Sequence, residues 1–176
     1  MNIFVLINVI LLILFNNKYG SATNYCAKNL CDVGKKHIAC KNNGNFSRNC
    51  STNARLINMN HYKHLILKAH NVRRNNLARG LVPGYRPASR MATMQWSNEL
   101  AYLAGLNVRQ CAMKHDQCHN TYAFPTASQN LGFIGNTRLF AFFRIDWIIK
   151  NRINEWWQEY KLINMTKLST LYDYGS

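Results

Sequence analysis

The residues best suited to chemistry lie close together in the second half of the chain. They are Cys111, His115, Cys118 and His119, which form a C-x3-H-x2-C-H pattern. Thiolate and imidazole groups at short spacing are ligands of tetrahedral zinc, so the pattern is compatible with a zinc site in a reducing compartment. In an oxidising compartment the cysteines form disulfides, and two histidines alone do not close a zinc site. The chemistry of this cluster therefore depends on where the chain folds.

The N-terminus indicates an oxidising compartment. The segment from Ile3 to Phe15 is apolar except for Asn8, and Gly20, Ser21 and Ala22 follow shortly after it. A membrane span needs about 20 apolar residues, and this run is shorter. We predict a signal peptide over residues 1–22, cleaved near Ala22, and a mature protein that is secreted, extracellular and not membrane-spanning.

All six cysteines follow the predicted cleavage point, and an even number in a secreted chain predicts three disulfides. Six cysteines allow 15 connectivities, and their spacing does not choose among them. Four of them lie in residues 23–60, a segment rich in Lys, Asn and Gly without helical periodicity. We expect this N-terminal arm to be held to the body of the protein by bridges to Cys111 and Cys118. With the thiols used in this way, we predict no metal site and no cofactor.

The chain is strongly basic, with 22 Lys and Arg against 7 Asp and Glu in 176 residues, for a net charge of +15. Loss of residues 1–22 would remove one charge, that of Lys18, and leave +14. Basic proteins adhere to anionic membranes, sulfated glycans or nucleic acids, and secretion excludes nucleic acid as the expected partner. Asn45 and Asn164 begin N-x-S/T sequons and are predicted glycosylation sites.

Three helices are predicted from apolar periodicity. The first runs from Tyr62 to Arg79 and ends at Gly80, with Leu65, Ile66, Ala69, Val72 and Leu77 as its apolar positions. The second runs from about Ser97 to Arg109, with Ser97 as N-cap and Leu100, Leu103, Ala104 and Val108 on its buried face. The third runs from about Thr137 to Leu162, and its stripe of Ile145, Ile149, Ile153, Trp156 and Tyr160 is typical of core packing.

No segment between Ala22 and Ser176 alternates clearly as a strand, and residues 119–136 are predicted to be irregular. The length fits one domain, with no internal repeat. The composition excludes a disordered tail, a coiled coil and a collagen-like chain.

Five segments carry short motifs in a fixed order along the chain: Asn24-Tyr25-Cys26, His70-Asn71-Val72-Arg73-Arg74, Met91 to Ala101, Ser128-Gln129-Asn130-Leu131 and Trp156-Trp157-Gln158-Glu159. Together they resemble the CAP superfamily of cysteine-rich secretory, antigen 5 and pathogenesis-related proteins, and most closely its insect antigen 5-related branch. The resemblance covers residues 24–160, and each motif is weak when taken alone.

The resemblance implies an α+β fold, an α-β-α sandwich with a small antiparallel sheet. It divides the chain into a signal peptide (1–22), a cysteine-rich arm (23–60) and a CAP domain (61–176). The family's closing strands and a second cleft histidine lie in a later segment, so we expect this domain to be incomplete at its C-terminus. The connectivity that it implies is Cys26–Cys40, Cys31–Cys118 and Cys50–Cys111.

The resemblance also implies a surface cleft formed by His115, Gln129 and Glu159. Because an amide does not titrate, Gln129 weakens the case for acid–base chemistry. We therefore predict a protein that is not an enzyme and that binds a lipid or small apolar ligand, an extracellular protein or an anionic surface. The alternative is a cleft hydrolase or metal-dependent enzyme that uses His115 and Glu159. His70 and Asn71 are expected to serve helix packing and a turn.

Overall fold

The structure, a computed structural model, describes residues 23–88, 90–135 and 144–163, together with the backbone of residues 5–11. It contains helices and strands and is therefore an α+β fold. The helices are α1 (Lys63–Ala78), α2 (Asn98–Val108) and α3 (Ile145–Gln158), and the strands are β1 (Val5–Leu11) and β2 (Ser128–Ile134). Short 3-10 turns, Met59–Tyr62 and Glu159–Leu162, precede α1 and follow α3.

Helix α1 forms where the periodicity predicts it and ends at the predicted glycine. Gly80 has a φ of +72°, a left-handed conformation that favours glycine, and its N–H donates to the carbonyl oxygen of Leu77. Ile66 and His70 are the buried residues of the helix. Val72, one of the apolar positions that predict the helix, is 49% exposed.

Helix α2 provides most of one hydrophobic cluster and contacts the N-terminal arm. The Ser97 hydroxyl accepts a hydrogen bond from the Leu100 N–H at 3.2 Å, which confirms the predicted N-cap. Leu100, Leu103, Ala104 and Leu106 form a cluster with Ala39, against which Tyr25, Ile38, Phe124 and Ala127 also pack. Val108 is only partly buried. Glu99 accepts hydrogen bonds from Thr23 and Tyr25, which attaches the beginning of the arm to this helix.

Helix α3 begins later and ends earlier than the predicted segment. Arg144 has extended backbone angles and precedes the first turn, and the helix gives way to a 3-10 turn at Glu159. Residues 137–143 of the predicted helix lie outside the described residues. The core role is confirmed for four of the five stripe residues, because Ile149 and Ile153 form a buried cluster with Ile66 of α1, and Ile145 and Trp156 pack against it. Tyr160 is not part of this cluster.

Strand β2 corrects the prediction of an irregular segment. It pairs antiparallel with β1, with Val5 opposite Ile134 and Leu11 opposite Ser128. The strand lacks clear alternation because its buried residues, Gln129 and Gly132, are three positions apart. The signal peptide stays a prediction, because the pairing of β1 does not bear on cleavage.

The chain forms three disulfides, Cys26–Cys40, Cys31–Cys118 and Cys50–Cys111, which are the bridges that the resemblance implies. Two of them join the arm to the segment that follows α2. An isolated parallel bridge between His37 and Cys118 adds a backbone hydrogen bond of 2.9 Å from the Ile38 N–H to the Cys118 carbonyl oxygen. The arm is thereby attached to the body covalently and through backbone contacts.

Candidate functional site

The loop of residues 111–119 carries His115, one of the cleft residues that the resemblance implies, and is fixed at both ends. Cys111 follows the end of α2 with a φ of +50° and is bonded to Cys50. Cys118 is buried and is bonded to Cys31. The short loop between two disulfides presents His115 and Asp116 to the beginning of β2.

Asp116 is the central hydrogen-bond acceptor of the site. Its Oδ1 accepts from Asn107 Nδ2 at 2.7 Å and from Gln110 Nε2 at 3.0 Å, and its Oδ2 accepts from Gln129 Nε2 at 2.7 Å. The side chain is 1% exposed. A buried carboxylate with three amide donors is well satisfied, and removal of it would leave those donors without an acceptor. Asp116 is thus a site residue that the sequence motifs do not indicate.

These hydrogen bonds determine the tautomer of His115. Because Gln129 Nε2 donates to Asp116, its Oε1 must face the other way, towards His115 Nδ1 at 3.1 Å and the Asp116 N–H at 3.2 Å. An amide oxygen only accepts, so His115 Nδ1 carries the proton. His115 is exposed, and its Nε2 is then the basic atom available to solvent or to a ligand.

The structure brings His115 and Gln129 together, and it separates Glu159 from their hydrogen-bond network. Glu159 is exposed at the start of the 3-10 turn after α3. Within the described residues, no hydrogen bond or ion pair joins it to His115 or Gln129. Of the three cleft residues that the resemblance implies, two are therefore in direct contact.

Two further histidines, His119 at the end of the loop and His37 in the arm, have structural partners. His119 Nε2 lies 2.8 Å from the Ala127 carbonyl oxygen, while its Nδ1 lies 3.8 Å from Asp116 Oδ2. His37 Nε2 lies 2.8 Å from the Asn120 carbonyl oxygen, and its Nδ1 accepts from the Ala39 N–H at 3.0 Å. Burial lowers the pKa of His37 below its ordinary value, which keeps the ring neutral.

Tyr25 covers the ring of His37, with 4.9 Å between the ring centroids. Burial and the neighbouring carboxylate of Glu99 raise the pKa of Tyr25 to about 12. Its hydroxyl therefore remains a donor to Glu99 at any physiological pH. These contacts hold the arm on the body and leave His115 as the histidine that faces solvent beside Gln129.

The geometry offers limited chemistry at His115. Acid–base hydrolysis needs two titrating groups near the substrate, and the neighbour that contacts His115 is an amide. Among the described residues no group of three or more His, Cys, Asp or Glu side chains is arranged to hold a metal ion. Cys111 and Cys118, which could have ligated zinc, are both in disulfides.

The segment of α1 from His70 to Arg74, which has the pattern H-N-x-x-R, has a positioning role. The Asn71 amide forms two hydrogen bonds with the backbone of Met94, one from Nδ2 to the carbonyl oxygen and one from the N–H to Oδ1. The Arg74 guanidinium donates to the Ala92 carbonyl oxygen at 2.8 and 3.3 Å. These bonds attach residues 92–94 to α1.

An α+β core, a cysteine-rich arm and three disulfides define a class of protein that is stable outside the cell. Comparison with known proteins gives the family. The CAP family, described as the cysteine-rich secretory protein family, matches residues 67–168. The chain belongs to this family and is antigen 5-like.

Three relatives illustrate the likeness. The chain is 41% identical over 149 residues to the "Antigen 5 like allergen Cul n 1" of Culicoides nubeculosus, which covers 80% of this chain and 66% of that protein. It is 36% identical to "Venom allergen-1" of Aedes aegypti (78% and 53% covered) and 36% identical to "Venom allergen 5" of Vespula maculifrons (73% and 59% covered). The chain thus spans about half to two thirds of the length of these relatives. No solved structure matches it significantly.

The family and the disulfides agree with an extracellular protein. In the part of the chain that the structure describes, none of the helices has the length and apolar character needed to cross a membrane.

Proposed function

We propose that this chain is a secreted CAP-domain protein that acts by binding and not by catalysis. The observation that carries the proposal is the environment of His115, whose Nδ1 is held by the amide of Gln129. That amide is in turn fixed by the buried carboxylate of Asp116. Because the amide of Gln129 does not titrate and the carboxylate of Asp116 is buried among amide donors, the site lacks a second group for acid–base chemistry beside His115.

The proposed domain organisation is a signal peptide over 1–22, a cysteine-rich arm over 23–60 and a CAP domain over 61–176. The CAP domain would have the α-β-α sandwich of the family. The order of α1, α2, β2 and α3, and the attachment of the arm to α2, support this organisation.

The proposed ligand is a lipid or small apolar molecule held between the first and last helices, or an extracellular protein. Ile66 of α1 packs against Ile149 and Ile153 of α3, so the two helices that would hold such a ligand are apolar where they meet, which supports the first possibility.

Native mass spectrometry of the secreted protein tests the proposal. We expect mass added by a non-covalent organic ligand, and no loss of that ligand in the His115→Ala variant. Stoichiometric zinc in the wild-type protein, together with an activity that disappears in His115→Ala, would instead establish an enzyme.

A second candidate function is a hydrolase that uses His115 and Glu159, because the Nε2 of His115 is an exposed base. This alternative predicts ester hydrolysis that requires both the imidazole and the carboxylate. His115→Gln and Glu159→Gln should then each lower kcat by about 100-fold or more. We expect neither variant to change the background rate.

The processing of the chain follows from the same proposal. N-terminal sequencing of the secreted protein should begin near Thr23. Asn45 is exposed in the arm and is proposed to carry a glycan, so Asn45→Gln should lower the mass of the secreted protein by one glycan. Asn164, the other proposed glycan site, lies outside the described residues.

A further inference from the structure

A pocket of about 330 Å3 lies between α1 and the segment that follows it, away from His115. The helix residues that line it recur at three- and four-residue intervals and therefore share one face. The lining consists of Lys68, Asn71, Val72, Arg74, Asn75, Ala78, Met91, Ala92 and Thr93. The volume is at the lower end of the range for small-molecule sites, so the pocket suits one ring or a short chain.

The walls of the pocket are held in place by the H-N-x-x-R segment. Asn71 pairs with the backbone of Met94 in both directions, and Arg74 binds the carbonyl oxygen of Ala92. The segment opposite α1 is thus attached at two neighbouring points. A pocket with fixed walls loses little conformational entropy when it binds a ligand.

The charge of the pocket is of one sign. Lys68 and Arg74 line it, and no lining residue is acidic. The sequence from Val33 to Asn98 contains 12 Lys and Arg and no Asp or Glu. The ion pairs found in the described part of the chain involve neither Lys68 nor Arg74. Burial lowers the pKa of Arg74, so this guanidinium is partly desolvated without a carboxylate to compensate.

Polar and apolar groups of the lining are both available to a ligand. The side chains of Asn75 and Thr93 are exposed, and within the described residues they have no hydrogen-bond partner. Val72 supplies apolar surface, since it is 49% exposed. A ligand with one anionic end and one apolar end would satisfy the donors and cover Val72 together.

We propose that this pocket binds a small phosphate or sulfate monoester, with the oxyanion held by Lys68, Arg74, Asn75 and Thr93. The tetrahedral oxyanion has several terminal oxygens, which match convergent ammonium, guanidinium, amide and hydroxyl donors better than a carboxylate does. The apolar body of the ester lies against Val72, Ala78 and Met91. His115, Gln129 and Glu159 do not line this pocket.

Calorimetric titration of the secreted protein with phenyl phosphate and phenyl sulfate tests the proposal. We expect saturable binding with a stoichiometry of one, which weakens as salt is raised to about 0.15 M. Lys68→Gln should weaken the binding of phenyl phosphate about five- to tenfold, and Asn75→Asp should weaken it more than tenfold, because a carboxylate repels the oxyanion. Phenol, which lacks the oxyanion, should not bind.

Lys114→Gln is the matched control, because it removes the same charge from an exposed loop outside the pocket. Lys114→Gln should change the affinity for phenyl phosphate by no more than about twofold relative to the wild type. Lys68 and Asn75 make no described side-chain contact, so their variants should fold, whereas replacement of Arg74 would also release Ala92.

Three outcomes would overturn the proposal. They are the absence of saturable binding, equal weakening by Lys68→Gln and Lys114→Gln, and binding to phosphatidylserine vesicles without binding of either ester. The inference extends the proposed binding function and rests on it only in assigning the pocket a ligand. If the protein retains a lipid in native mass spectrometry but binds neither ester, the proposed binding function stands and the proposed oxyanion site is wrong.

Discussion

At the scale of single residues, the buried carboxylate of Asp116 organises the loop that presents His115. Three side-chain amides, those of Asn107, Gln110 and Gln129, donate to it. Asp116→Ala would leave these donors unsatisfied in a largely buried site, so we expect the free energy of unfolding to fall by about 3 kcal/mol or more. Urea denaturation measures this loss.

Asp32→Ala is the control for Asp116→Ala. Asp32 forms an ion pair with Lys35, but its side chain is 77% exposed, and an exposed pair contributes little. The control should change stability by no more than about 0.5 kcal/mol. Similar losses in the two variants would show that the amide network does not stabilise the fold.

The sequence could indicate His115 and Gln129 as neighbours, because they occupy family motifs. It could not indicate the role of Asp116, since an acidic residue in a polar loop is ordinarily solvated. What distinguishes Asp116 is its burial between α2, which ends at Val108, and β2, which begins at Ser128. That burial depends on how the intervening loop folds. The separation of Glu159 from this network likewise depends on where α3 ends.

His70 gives the protein a defined dependence on pH. Burial, together with the charges of Arg73 and Arg74, lowers its pKa from 6.5 to about 4. Because the folded pKa lies below the unfolded value, the unfolded state binds more protons between these pH values. The contribution of His70 to the free energy of unfolding should therefore be fully present above pH 6.5. It should fall by up to about 3 kcal/mol as pH decreases towards 4.

Urea denaturation of the wild type and of His70→Gln between pH 7 and 4 measures this contribution. Other groups also titrate over this range, so the quantity of interest is the difference between the two proteins, which should shrink as pH falls. His64→Gln is the control, because His64 is exposed on the same helix. A constant difference between wild type and His70→Gln across the range would contradict the prediction.

At the scale of elements, the end of α1 depends on the absence of a side chain at Gly80. A Cβ there would lie 2.8 Å from Pro87 Cγ, and the φ of +72° is itself unfavourable for other residues. Gly80→Ala should therefore lower the free energy of unfolding by about 2–3 kcal/mol, from backbone strain and from the contact with Pro87. Chemical denaturation measures it.

Gly84→Ala separates these two effects. Gly84 has a φ of +81°, but a Cβ there would have no atom within 4 Å. Gly84→Ala should lower the free energy of unfolding only by the cost of the left-handed backbone conformation, about 1 kcal/mol. An equal cost at Gly80 and Gly84 would show that Pro87 moves away without penalty.

The three helices were predictable because each has an apolar stripe and two have a recognisable end, Ser97 for α2 and Gly80 for α1. Strand β2 was not, because its burial depends on partners that are remote in sequence. Gly132 is buried where α3 approaches, and a Cβ there would lie 3.0 Å from Arg152 Cδ. Apolar periodicity predicts which side chains of a segment are buried. It contains no information about the close approach of a helix to a glycine.

At the scale of the whole molecule, charge is distributed unevenly along the chain. The span from Val33 to Asn98, which includes α1, has no acidic residue. The first two carboxylates that follow it are engaged by other parts of the protein, since Glu99 accepts hydrogen bonds from the arm and Asp116 accepts them from side-chain amides. The basic excess is therefore not neutralised along α1, which is the reason that the pocket beside it is suited to an anion.

The disulfides also act at the scale of the whole molecule, and their contributions should differ. Cys31–Cys118 closes a separation of 87 residues and joins the arm to the loop of His115, whereas Cys26–Cys40 closes 14 residues within the arm. In the chain-entropy model the stabilisation grows with the logarithm of the loop, which gives about 4.5 kcal/mol for the long bridge and about 3 kcal/mol for the short one.

Replacement of both cysteines of a bridge by alanine tests this difference. The Cys31→Ala, Cys118→Ala variant should be about 1.5 kcal/mol less stable than the Cys26→Ala, Cys40→Ala variant in urea denaturation. Burial of Cys118 increases the expected gap, because alanine leaves a cavity there. If the two variants were equally stable, loop entropy would not govern how the arm stabilises the body. The bridge within the arm would then matter as much as the bridge that joins the arm to the His115 loop.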